Sequence, residues 1–458
     1  MTDPQALGAL ARIHELQLQL VETLPPRDCN RLFEPELPSA GWLLGRAVYL
    51  ELHLLRTRVR GDDDLASRVR HLFDNARPPA AALEAQLPPQ GHLLSWAHEI
   101  LDEHLVWLAN PGMLPDHPLL ADSWLIWQLA QHQALIYERL LTVLTERSAL
   151  RAGRDYRVSE VLQGRLPRDD STRIEQGHYR IGARGGAVLC NEQPAQLVEL
   201  HAFRISRTPV RNAEFLAFMQ DGGYRDADWW DDDGRRWLAA AKVAAPWHWQ
   251  TDQNGHWYTI GTNGPMDLHA DDVVSGLSAH EARAYAAWAA ARGEGLAGAV
   301  PQHEYQWEVA ARLGELERQG RCWDMVRQPL PPLPRLSGAS GPATGALPHR
   351  PRGHHPAWWL PAYPGGAAPH DLSDHGTTRG AQPLRRHPPG DAARQGRLGI
   401  AASAGGVQQL DLERQGLIGS NVRAGATLPI GQGAGDKYLP TIADAHPRNR
   451  LTESRDHA

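Results

Sequence analysis

Histidines on helical faces are the residues of this chain best suited to chemistry. His53, His98, His104 and His132 all fall in Leu-rich segments with helical spacing, and a neutral imidazole can ligate a transition metal or carry a proton near neutral pH. Gln128 and His132 are four residues apart and therefore share a helix face. Arg46 sits in another such segment. Its guanidinium stays protonated, cannot give a lone pair to a metal, and suits either a carboxylate ligand or a salt bridge within the helices. Cys29, Cys190 and Cys322 are isolated, which gives neither a disulfide framework nor a CxxC-type metal site. Trp229, Trp230, Trp237, Trp247, Trp249 and Trp257 are expected to build a core, with some of them lining a cleft.

The elements that must position these residues follow from periodicity. Apolar residues recur at i, i+3, i+4 and i+7 over 5–23, 41–60, 91–109 and 121–147, separated by Pro-bearing turns, which predicts four helices and hence a bundle over 1–147. Residues 148–177 are polar, rich in Arg and Asp, and read as a linker. From Gly177 the pattern changes to short alternating runs, HYRIGA and LVELHAFRIS, followed by helical segments from Asn212 and Ser278. The expected fold class is therefore an α-helical bundle followed by an α+β domain over 178–324. No apolar run reaches the roughly 18 residues of a membrane span. The first twenty residues also lack a basic, apolar leader. A soluble, cytoplasmic protein with no membrane partner is the expectation, and a net charge of −6 argues against a nucleic-acid partner.

In order, the segments GHYRIGA, NEQPAQLVELHAFRISRTPVRNAEFLAFMQDGGY, APWHWQ, VVSGLSAHEARAYAAWA and PQHEYQWEVAAR resemble the formylglycine-generating-enzyme/sulfatase-modifying-factor domain, whose fold is C-type-lectin-like. Behind a DinB-like four-helix bundle, such a domain is similar to the ergothioneine-biosynthesis sulfoxide synthases, the EgtB family. The resemblance covers about residues 10–324 and implies mononuclear non-haem Fe(II), held by three bundle histidines, that uses O2 to join a thiol to C2 of the imidazole of hercynine. The implied partners are small molecules, an imidazole betaine and a thiol.

Carried over residue by residue, the implied ligand positions fall on Arg46, in SAGWLLGRAVYLELHLL, and on Gln128 and His132, in WQLAQHQA. Of these only His132 is an imidazole. Gln131 matches a position that contacts the hercynine ring, and the substrate-facing set is completed by Arg46, Trp323 and Asp324. His53, His98 and His104 are the candidates for a substitute site. No catalytic residue is assigned.

Composition breaks after Met325. Residues 326–458 hold 17 Pro, 19 Gly and no Phe, with 15 Lys+Arg against 9 Asp+Glu, a mixture that buries too little apolar surface to offset chain entropy. Disorder is expected over 325–458. The resemblance stops at GRCWD, yet a back-translation of MVRQPLPPLPRLSG from Met325, shifted by one base, can read WFASPFRPYPGFRA. The same shift turns AWWLPAYPG into RGGCLHTRA and LRRHPPGD into FAGIRLA. These lie in one frame and in family order, so the last third is expected to be read out of frame.

Three functions remain open. The first is an EgtB-like sulfoxide synthase homologue. The second is a catalytically silent binding protein for an imidazole betaine or other zwitterion, with Arg46 taking the carboxylate. The third is a formylglycine-generating-type oxidase, whose reactive cysteine pair has only Cys322 near the required region.

Overall fold

The computed structural model describes residues 2–35, 37–74, 86–152, 155–183, 194–317, 323–326, 398–400 and 403–404. Asp3 opens α1 (Pro4–Glu22), its carboxylate accepting from the Gln5 N–H with Pro4 at the first helical position, where a missing amide donor costs nothing. A short α2 (Pro26–Cys29) leads to α3 (Ala40–Glu51), capped by the Ser39 hydroxyl, which accepts from Trp42 N–H. The helix then widens into a π-helical stretch, Leu52–Arg60, that ends at Gly61 with φ +73°. There follow α4 (Asp64–Phe73), α5 (Gln90–Ala109) and α6 (Trp124–Arg151).

Helices α1, α3, α5 and α6 pack on one another. One apolar cluster joins Trp42, Leu43, Ala47, Leu93, Leu101, Ile136 and Leu140, and a second joins Leu10, Ile13, Leu54, Leu55, Leu125 and Leu129. The four expected helices therefore match to within a few residues. Their ends shift, because α6 runs to Arg151 and so takes the first residues of the expected linker. Helix α4 was not expected from the periodicity.

The second region is α+β. Strands β1 (Ser171–Ile174), β2 (Gly177–Ile181), β3 (Gln196–Leu200) and β4 (Phe203–Ser206) precede α7 (Asn212–Gln220) and α8 (Asp232–Ala241). A meander of β5 (Trp249–Thr251), β6 (Trp257–Gly261) and β7 (Gly264–Asp267) follows, then α9 (Ala279–Arg292), β8 (Val300–Pro301), α10 (Glu304–Arg312) and β9 (Trp323–Asp324). Strand β1 pairs antiparallel with β4 and so belongs to the sheet, although it lies within the expected linker 148–177. The core stacks Phe215 on Tyr285, sets Phe218 edge-on to Trp288, and takes in Trp230 and Trp249. Trp229, Trp237 and Trp257 pack partly buried against it, whereas Trp247 is exposed.

The sequence leads one to expect no ordered element beyond Asp324. Two short strands correct this: β10 (Leu398–Ile400) lies between β4 and β8, parallel to both, and β11 (Ser403–Ala404) pairs antiparallel with β9. The physical reason is backbone pairing. β4 and β8 present unpaired edges to each other, and any segment that can extend satisfies their N–H and C=O groups. Most of the tail expected to be disordered lies outside the described residues. No described helix is long and apolar enough to cross a membrane.

Candidate functional site

Arg46 is buried on α3 in a setting built by the end of α4. Trp42 Nε1 donates to Leu72 O at 2.9 Å, and one turn later Arg46 Nη1 donates to Phe73 O. These are among the last carbonyls of α4, which have no partner within their own helix, so two side chains of α3 cap it. Gly45 makes this possible, because a Cβ there would lie 2.2 Å from the Phe73 ring. Burial lowers the Arg46 pKa, and the charges of Asp74 and Tyr49 work against that shift. The guanidinium carbon sits 5.6 Å from the Tyr49 ring centroid, and Arg46 Nε has no hydrogen-bond partner.

His132, on α6, donates from Nδ1 to Gln128 O at 2.7 Å, which leaves Nε2 as the lone-pair atom of the neutral ring. Burial lowers its pKa, and Arg46 is the nearby positive charge that lowers it further. The fold thus brings together Arg46 and His132, two of the sequence-selected residues. Gln128 is buried one turn before His132, and its helical neighbours Leu125 and Leu129 belong to the apolar cluster of Leu54 and Leu55. Ile136, one turn after His132, is instead packed with Leu43 and Ala47, the residues that flank Arg46. Gln131 is half-buried on the same helix.

The three implied ligand positions therefore do not fit an iron held by three imidazoles: they offer one imidazole, one amide and one guanidinium. Among the described residues no group of three or more His, Cys, Asp or Glu side chains is arranged to hold a metal. The substitute histidines also separate. His98 is exposed, His53 stacks on Tyr49 with ring centroids 6.1 Å apart, and His104 is buried against Glu51.

The charged centre that the sequence did not single out is Glu51. Its carboxylate is wholly buried between His14 of α1 and His104 of α5, and it accepts from Gln133 Nε2 of α6 at 2.8 Å. Gln17 closes the network, its Nε2 donating to Gln133 O and Oε1 at 2.6 and 3.0 Å. A glutamate at an inward position of an apolar helix was the available signal, since a buried charge needs partners.

In the second region Asp324 accepts from Trp307 Nε1 at 3.0 Å, and burial pushes its pKa up to about 7. The side chain of Trp323 lies outside the described residues, as do Cys190 and Cys322. The Cys29 thiol is buried and pushed up to about 11, which makes it a poor nucleophile.

Comparison with known proteins agrees with this architecture. Residues 159–328 match the model of the sulfatase-modifying factor enzyme 1-like domain. A hercynine oxygenase from Mycolicibacterium thermoresistibile is 41% identical over 126 residues, 27% of this chain and 25% of that protein. One from Mycolicibacterium smegmatis is 36% identical over 168 residues, 35% of each chain. A formylglycine-generating enzyme from Streptomyces coelicolor is 31% identical over 155 residues, 31% of this chain and 46% of that protein. The matched part thus spans about a quarter to a third of the hercynine oxygenases. A helical region in front of a sulfatase-modifying factor enzyme 1-like domain, together with these relatives, makes the chain similar to the EgtB-like family over the matched residues.

Proposed function

We propose that this protein descends from non-haem iron sulfoxide synthases acting on hercynine, and that it binds an imidazole betaine or a similar zwitterion without carrying out the oxidation. The observation that carries this reading is the pairing of a buried Arg46 with His132 on facing helices. A fixed cation beside the one remaining imidazole repels a divalent metal, whereas the unpartnered Arg46 Nε–H suits a carboxylate oxygen. Gln131 would then meet the imidazole. In the same reading residues 1–147 are a DinB-like four-helix bundle, supported by the mutual packing of α1, α3, α5 and α6. Residues 178–324 form the formylglycine-generating-enzyme-like domain, and the protein works in the cytoplasm on small molecules.

The test is a thermal-shift titration of the full chain with hercynine, because a ligand that binds only the folded state raises the melting temperature. A saturable rise that weakens in Gln131→Ala supports the reading. No rise at millimolar hercynine, or oxidative coupling of a thiol to hercynine by iron-loaded protein, would overturn it.

A further inference from the structure

Each of the helices α1, α3, α5 and α6 turns a polar side chain into the apolar interior of the helical region. His14 and Gln17 come from α1, Glu51 from α3, His104 from α5 and Gln133 from α6, and none is more than 3% exposed. On every helix the apolar residues that flank them belong to different clusters: Ile13 and Leu18, Ala47 and Leu54, Leu101 and Leu108, Leu129 and Ile136. The five side chains therefore form a polar layer between two apolar ones.

Such a layer does not maximise stability. Among the described residues His14 Nδ1, His104 Nε2 and Gln17 Oε1 are buried without a hydrogen-bond partner, and well-packed apolar side chains of similar volume are often at least as stable in such a place. What the polar contacts add is direction. A hydrogen bond forms only near one rotation and one height of a helix, whereas apolar contacts tolerate several.

Gln133 is the member that joins α6 to α3. Its carboxamide nitrogen donates to Ala47 O at 3.1 Å and to Glu51 Oε1 at 2.8 Å, two acceptors one turn apart on the same stretch of helix. Gln17 Nε2 donates to Gln133 O and Oε1, which ties α1 to the same point. Ala47 directly follows Arg46, and Gln133 directly follows His132. A slip of α6 by one residue would carry His132 about 1.5 Å along the helix and turn it by about 100°, and it would break both bonds to α3.

We propose that Gln133 is the positioning residue of the Arg46–His132 site: its carboxamide fixes the rotation and height of α6 against α3, and so sets where His132 stands relative to Arg46. The assignment rests on the reading of these two residues as one site, but the alignment itself is measured without any ligand.

The experiment follows the pH dependence of the His132 imidazole NMR signal in the full chain, in Gln133→Leu, in Arg46→Gln, which keeps an N–H donor for Phe73 O, and in the double variant. Burial and then the Arg46 charge lower the His132 pKa, so Arg46→Gln should raise the midpoint. Gln133→Leu should raise it by about 0.5 pH units, because the guanidinium is no longer held beside the ring. The double variant should match Arg46→Gln alone, since the lost alignment acts only through that charge. Glu51→Gln, which still offers an oxygen to Gln133 Nε2, should leave the midpoint in place. Melting temperatures show which variants fold, and Gln17→Leu with Gln133→Leu, which strands no Gln17 amide, gives the same readout if Gln133→Leu alone does not. An unchanged His132 midpoint in folded Gln133→Leu or in that pair, or an equal shift in the Arg46→Gln background, would overturn the proposal. Hercynine does not enter the measurement, so a failure to bind it would remove the reading of the site and leave the alignment standing.

Discussion

His14 Nε2 lies 2.5 Å from Glu51 Oε1, with both side chains almost completely buried. Residues 37 apart in sequence thus form a charged contact inside the helical region, and His104 Nδ1 reaches the other carboxylate oxygen at 3.2 Å. Burial alone would raise the Glu51 pKa, but the charge of His14 and the hydrogen bonds from His104 and His14 outweigh it and hold it at about 2, against an ordinary 4.5. A carboxylate depressed on folding contributes stability that is complete above its unfolded value and is lost as pH falls toward the folded one. The chain should therefore lose stability from about pH 4.5 toward pH 2.

Glu51→Ala should cost about 3 kcal/mol or more at neutral pH, since it strands two buried imidazoles and the Gln133 amide. Glu51→Gln should cost less and should flatten the acid limb. Urea unfolding followed by circular dichroism between pH 3 and 7 checks both. An unchanged acid limb in Glu51→Gln would show that other groups control it.

Metal binding should respond to Arg46 before anything else. The chain as it stands is expected to bind Fe(II) far more weakly than a site of three imidazoles. Arg46→His with Gln128→His tests the positions read from the sequence. Arg46→His with Ile136→His tests those that the packing around Leu43 and Ala47 favours, and it should bind more tightly. Arg46→His also removes the donor to Phe73 O, so a loss of roughly 1 kcal/mol of stability, read as a lower melting temperature, should accompany it. Stoichiometric iron in the unaltered protein would contradict the expectation.

Glu281 should produce the opposite pH dependence. It closes a capping box at the start of α9, accepting from Ser278 N–H at 2.6 Å and from the Tyr224 hydroxyl, yet burial still pushes its pKa up to about 7 from 4.5. A carboxyl raised on folding contributes stability that is present below its unfolded value and lost as pH rises through the folded one. Stability should therefore decline between about pH 4.5 and 7 on this account, and Glu281→Gln should remove that slope. Tyr224→Phe deletes the strongest of the bonds that hold the pKa down, so the decline should still begin near pH 4.5 but extend to higher pH.

Residues 325–458 are proposed to be out of frame. Deleting one nucleotide just after the Asp324 codon should restore WFASPFRPYPGF and raise the melting temperature, because aromatic residues would then complete the second core. Genomic reads confirming the present frame, or an unchanged melting temperature of the edited chain, would remove the idea.

Periodicity in the sequence determined the positions of the four long helices, because a 3.6-residue repeat of Leu, Ile and Val marks which face of each must be buried, whatever it meets. The change to short alternating runs at Gly177 and the ordered family segments likewise marked the α+β region. A repeat names a face but not the partner across it. That Arg46 ends on Phe73 O and beside His132, that Glu51 is held by His14 and His104, and that Leu398–Ile400 lies between β4 and β8 were decided only by tertiary packing. These contacts join residues from 27 to about 200 positions apart, and which of them form depends on helix register and sheet edges, set once the elements pack together.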